Sequence, residues 1–98
     1  MSIYEIPLQP IPHQIVACVV GGQSFEITVR QSGSSLFTST VIDGEQIAQT
    51  VRATSGGSIT PWADARVGTQ VRWHDSLGDE DPQYEGLGAR WMLCYEGE

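Results

Sequence analysis

Apolar residues fall at every second position over most of this chain and almost nowhere at helical spacing. After Gly22, Phe25, Ile27 and Val29 alternate with Ser24, Glu26, Thr28 and Arg30, the pattern of a strand that buries one face. Before it, His13–Val20 carries Ile15, Val16, Ala17, Cys18, Val19 and Val20 without a break, which predicts a central strand covered on both faces. Gly21 and Gly22 supply the two positive-φ positions that join such strands in a tight hairpin. Leu36–Ile42 and Glu45–Ala53 form the next predicted pair, joined by Asp43-Gly44, with Ile47 and Val51 on one side of the returning strand. Further on, Val71 and Trp73 oppose Arg72 and His74 within a predicted strand Thr69–His74. Trp91, Leu93 and Tyr95 then alternate with Met92 and Cys94 in a last strand, Ala89–Tyr95.

Two segments depart from this rhythm. Ser2–Pro12 alternates Tyr4, Ile6 and Leu8 with polar residues or proline. Its three prolines lack an amide donor, so it fits an edge or an extended arm better than a central strand. Thr60 as a cap, Pro61 at the first helical position and Gly68 as a terminator frame one short helix, Pro61–Val67. Two turns have no stability of their own and must be pinned by packing, with Trp62 as the anchor. The whole reads as an all-β chain, a small antiparallel barrel or sandwich of about six to seven strands with one short helical turn. It forms a single β domain over residues 1–98, with an extended arm at 1–12 and an acidic loop at 75–88.

Composition supports strands. Val, Ile and Thr number 23 against 5 leucines, and Cβ branching suits a pleated surface better than a helix. Twelve acids face five arginines and no lysine, a formal charge of −7. Such a chain repels phosphate backbones, so no nucleic-acid role is expected, and basic protein surfaces are its natural complement. Charged residues are only 17% of the chain, and edge strands have no lysine to blunt them. Both features suit a surface covered in part by neighbours. The opening residues carry no basic and apolar leader, and no apolar run approaches a membrane span. The expectation is a protein made and kept in the cytoplasm, at least until assembly, with no membrane association.

Little in the sequence promises bond-making chemistry. Asp75, Asp79, Glu80, Asp81 and Glu85 faintly resemble a calcium loop, but the twelve-residue frame with its fixed glycine and flanking helices is missing. A solvated acidic loop, or a docking site for an arginine-bearing partner, is the better reading. His13 and His74 have no nucleophile in a recognisable frame. Cys18 and Cys94 lie in apolar stretches without ligand spacing. They read as buried thiols, with a disulfide between an early and a late strand as the alternative. No enzymatic activity, metal or cofactor is expected. Trp62, Trp73 and Trp91 are core or interface anchors in one reading and a sugar platform in another.

The two ends of the chain together resemble a known family. Tyr4-Glu5-Ile6-Pro7-Leu8, followed by a proline and a glycine-turned hairpin, is one half of the likeness. The other is Gly78-Asp79-Glu80-Asp81-Pro82-Gln83-Tyr84-Glu85-Gly86-Leu87-Gly88 ahead of an aromatic terminal strand. In order and length these resemble the baseplate plug proteins of contractile-tailed phages. Arg30-Gln31 stands where that family would have an aromatic. The resemblance implies a structural virion protein that plugs or lines the hub lumen on the tail axis. Its implied partners are the hub, spike and tape measure proteins and further copies of itself, with a trimer favoured. Tyr4, Ile6 and Leu8 are then the candidates for contacts through the arm, and Asp79, Asp81 and Tyr84 for contacts through the loop. Two alternatives are a carbohydrate-binding β module, which needs exposed coplanar tryptophans, and an acidic inhibitor or immunity-like protein that binds a basic partner. A small hydrolase has least support.

Overall fold

The computed structural model describes residues 2–60 and 71–97, with the side chains of residues 2 and 97 undescribed. The predicted helix Pro61–Val67, its anchor Trp62 and the first residues of the strand Thr69–His74 lie outside the described residues.

Seven strands follow in order: β1 (Ser2–Ile6), β2 (His13–Val20), β3 (Gln23–Ser32), β4 (Ser35–Ile42), β5 (Glu45–Arg52), β6 (Val71–Asp75) and β7 (Trp91–Gly97). They form two antiparallel sheets, one ordered β1-β7-β6 and the other β2-β3-β4-β5. The all-β expectation holds, as a sandwich. Among the described residues a single 3-10 turn, Tyr84–Gly86, interrupts the acidic loop.

The hairpins follow local sequence. Gly21 and Gly22 (φ 57° and 81°) and Asp43 and Gly44 (φ 53° and 82°) both place two positive-φ residues between paired strands. That is the mirror-image turn whose twist matches the strands it joins. The Gly21-Gly22 turn sets an unbroken register from Val20↔Gln23 to His13↔Arg30.

The alternating residues of β3, Phe25, Ile27 and Val29, are buried as the pattern predicts. They meet Ile6, Val71, Trp73, Trp91 and Leu93 of the other sheet in one apolar cluster. Each fully buried side chain of this kind stabilises the fold by roughly 1.5–3 kcal/mol. Leu8, Ala53, Ile59 and Leu87, from the connections, close the ends of the cluster.

Three expectations need correction. First, β2 is an edge strand and not a central one. Its inner residues, among them Val16 and Cys18, pack on the core, whereas Ile15 and Val19 stand 61% and 65% exposed. An unbroken apolar run does not say whether its second face is covered.

Second, Ser2–Ile6 is an edge strand, as one of its two readings had it, and not a free arm. It pairs with β7 of its own chain from Ser2↔Gly97 to Ile6↔Leu93. Ile6 and Leu8 are only 2% and 8% exposed, so two candidate contact residues serve the chain's own core. Third, β5 buries Ala48 and Val51 and only part of Ile47. Two register shifts against β4 and a positive φ at Thr50 (53°) re-aim its side chains, as a bulge does.

Candidate interaction surfaces

The acidic loop is built as a clasp. It starts at Asp75, the last residue of β6, whose side chain is fully buried, and ends at Arg90, just before β7. Arg90 donates to both Asp75 oxygens, Nε to Oδ1 at 2.7 Å and Nη2 to Oδ2 at 2.9 Å. This is the two-pronged geometry that a guanidinium and a carboxylate share. The amides of Leu77 and Glu80 donate to the same carboxylate, each at 2.9 Å. The guanidinium lies 4.4 Å from the Trp91 ring centroid, and the Trp91 indole Nε1 donates to the Glu80 carbonyl at 3.0 Å. Arg90 therefore holds the Asp75 carboxyl well below the usual carboxylate range, with the two amides assisting and burial opposing. Arg90 is raised in turn, chiefly by its hydrogen bonds to Asp75.

The far side of the loop is tied to the other sheet. Asp81 accepts from the Ser55 amide at 3.1 Å and from Arg52 Nη2 at 3.3 Å. Gln83 accepts from Gln31 Nε2 at 3.0 Å and donates to the Ser34 carbonyl at 2.9 Å. The Tyr84 amide donates to Gln31 Oε1 at 3.3 Å, and its ring packs on the core. Two glycines permit the close packing. A Cβ at Gly86 would strike the Trp91 ring, and one at Gly88 would strike the Leu8 carbonyl oxygen.

Of the six predicted contact residues, Tyr4, Asp79 and Asp81 have exposed side chains. Tyr4 stacks on Tyr95 with centroids 5.3 Å apart. Ile6 and Leu8 are core, Asp81 binds Arg52 and the Ser55 amide while still open to solvent, and Tyr84 is half-buried. The set is not brought together at one place. Sequence reasoning missed the clasp residues Asp75, Arg90, Gln31 and Gln83 as a unit. The one legible signal was that an acid and an arginine bracket the loop.

A family model described as cyanophage baseplate Pam3 plug gp18 matches residues 3–98. The chain belongs to this plug family. None of the curated proteins compared with it matches.

Membership makes it a baseplate plug of the phage tail by family, and directs attention to surfaces that could meet neighbours. Among the described residues of this plug the large exposed apolar side chains are Ile3, Tyr4, Ile11, Ile15, Val19 and Leu77. Ile15 and Val19 share the outer face of β2. Beside it, a groove of about 480 Å³ runs between the connection Pro7–Ile11 and the strand, lined by Leu8, Ile11, Gln14, Ile15 and Ala17 among others. Gln14 holds the connection in place, donating to the Gln9 carbonyl at 2.6 Å and accepting from the Gln9 amide at 3.1 Å.

Trp73 and Trp91 are 2% and 7% exposed, so neither offers a sugar platform. Cys18 and Cys94 are free and half-buried. Burial pushes both thiols up, with the Glu5 charge adding to the effect at Cys94. Among the described residues no three histidine, cysteine or acidic side chains converge as metal ligands would.

Proposed function

We propose that this protein is a non-enzymatic structural plug of a phage tail baseplate, closing or lining the hub lumen on the tail axis through protein contacts. The observation that carries this reading is the family match over residues 3–98. A rigid β sandwich with apolar side chains left on its surface agrees with it. Its neighbours in this reading are the hub, spike and tape measure proteins and further copies around the axis, a trimer being the expected ring. Tyr4, Asp79 and Asp81 remain the exposed members of the first contact set, and Tyr84 helps shape the loop that carries both acids.

The test is the virion. Purified tails should contain the protein, and cryo-electron microscopy should show its two-sheet density on the axis inside the hub. Tails that assemble and inject normally without it, or virions that lack it, would refute the proposal.

A further inference from the structure

The two sheets end in four edge strands, β1, β6, β2 and β5, and three of these are spoiled for further pairing. β5 is bulged, with two register shifts and a positive φ at Thr50. The edge of β6 is occupied by the segment before it, through Ile59 N to Val71 O at 3.0 Å and Trp73 N to Gly57 O at 2.9 Å. β1 is five residues long and carries the exposed charge of Glu5. Such bulges, covers and charges are the usual devices against edge-to-edge association.

β2 has neither bulge nor charge, and the connection Pro7–Ile11 that runs beside its first half leaves an open groove of about 480 Å³. The strand is eight residues long, in unbroken register, with no acid, arginine or lysine. In a two-residue hairpin the residues flanking the turn form a hydrogen-bonded pair, and bonded pairs alternate from there. With Val20↔Gln23 as that pair, Val20, Cys18, Val16 and Gln14 bond to β3. The amides and carbonyls of Ile15, Ala17 and Val19 therefore point outward along the open edge, and these are the residues whose side chains are exposed.

We propose that the β2 edge receives an added strand, an extended segment of a neighbouring protein that carries β-branched residues two positions to either side of an arginine or lysine, all on one face. The apolar half of this requirement comes from Ile15 and Val19. The basic half comes from Glu26, which is exposed on β3 directly across from Ala17. An added strand lies about 10 Å from β3, two strand spacings, within reach of a long basic side chain. Ala17 is a notch between Ile15 and Val19 through which such a side chain passes to Glu26. A second copy of this chain does not meet that requirement. Its β2 carries neither arginine nor lysine, and pairing would set one charge of −7 against another. The inference rests on the plug reading only in that the neighbour is then a baseplate chain.

The test uses the full-length protein and a capped seven-residue synthetic peptide with valine at its second and sixth positions, arginine at its fourth and threonine elsewhere. Amide chemical shifts should move along β2, and hydrogen exchange at Ile15, Ala17 and Val19 should slow. A peptide with glutamate in place of arginine should bind at least tenfold more weakly, and Glu26→Gln should weaken the arginine peptide to a similar degree. Ala17→Pro should abolish protection while leaving the near-ultraviolet spectrum intact, because proline is tolerated where the missing amide faced outward. Val19→Lys, a purely exposed change, should block binding if the proline variant fails to fold.

No binding at millimolar peptide, equal binding of the glutamate peptide, or shifts confined to other strands would overturn the proposal. So would a dimer of the protein that protects the same three amides without peptide. Absence of the protein from virions would remove the plug reading and leave the result at this edge standing.

Discussion

Ile6→Ala set against Ile3→Ala separates a strand that belongs to this fold from an arm that belongs to a neighbour. Ile6 is the one buried side chain among the described residues of β1, 2% exposed and opposite Leu93, whereas Ile3 is 72% exposed. Truncation to alanine removes three carbons. At about 0.8 kcal/mol for each buried carbon the transfer loss is roughly 2.4 kcal/mol. A partly relaxed cavity brings the total to about 3 kcal/mol, within the usual ~2–5 kcal/mol for such changes. With a urea slope near ~1.5 kcal/mol/M for a chain of this size, the midpoint should fall by about 2 M. Both variants lose the same strand propensity, so Ile3→Ala is the control. It should stay within about 0.5 kcal/mol of wild type, as exposed substitutions do. Urea unfolding followed by tryptophan fluorescence reads both. If Ile6→Ala unfolds within about 0.3 M of wild type, or if Ile3→Ala is equally damaging, β1 is not docked through Ile6 and the core assignment fails.

Three further outcomes follow from the loop and the thiols. Asp75 has a folded pKa below its unfolded value of ~3.9, so its stabilisation is complete above the ordinary carboxylate range. It is lost as pH falls below about 5 and on through the folded value. Urea midpoints should therefore drop more steeply between pH 5 and pH 2 for wild type than for Asp75→Asn, and equal slopes would contradict the clasp. Gly88→Ala forces a left-handed residue (φ 81°) to carry a Cβ against the Leu8 carbonyl. It should cost more than about 1 kcal/mol in the same unfolding assay. Cys18 and Cys94, with raised pKa values, should react with a disulfide reagent at pH 7 more slowly than free cysteine, and an equal rate would show that burial does not protect them.

Strand identity was legible in this chain because turn chemistry and period two agree. Gly21-Gly22 and Asp43-Gly44 leave few alternatives to hairpins, and between them Phe25, Ile27 and Val29 have one face to bury. What could not be read is which strand sits at a sheet edge, since that depends on partners distant in sequence. β2, the most apolar strand, was read as central and is an edge. β1, rich in neighbouring prolines, was read as an edge or an arm and is an edge strand paired within its own chain. The acidic loop was legible in part, since Asp79, Glu80 and Glu85 are exposed as a solvated loop requires, while the role of Asp75 was hidden for a related reason. The loop's charges look solvated when counted along the chain, but Asp75 and Arg90 are fifteen residues apart and meet only once β6 and β7 pair. The ladder creates that contact, and Trp91 follows from it, since its ring takes the guanidinium and its indole fixes the Glu80 carbonyl.

The errors of reading and the proposed contact share one physical origin. A run of β-branched residues is consistent with either a covered strand or a strand awaiting cover, and the sequence pattern within the run is the same in both. The difference lies in the other edges. If an open β2 were merely tolerated, the remaining edges would be expected to be open as well, because the acidic chain has no lysine with which to guard any of them. Instead β5 is bulged, β6 is capped by the chain before it, and β1 is short and charged. Only β2 combines length, regular register and an uncharged apolar face. A single undefended edge among defended ones marks a place kept open for pairing, and Glu26 beside Ala17 sets the charge of what pairs there.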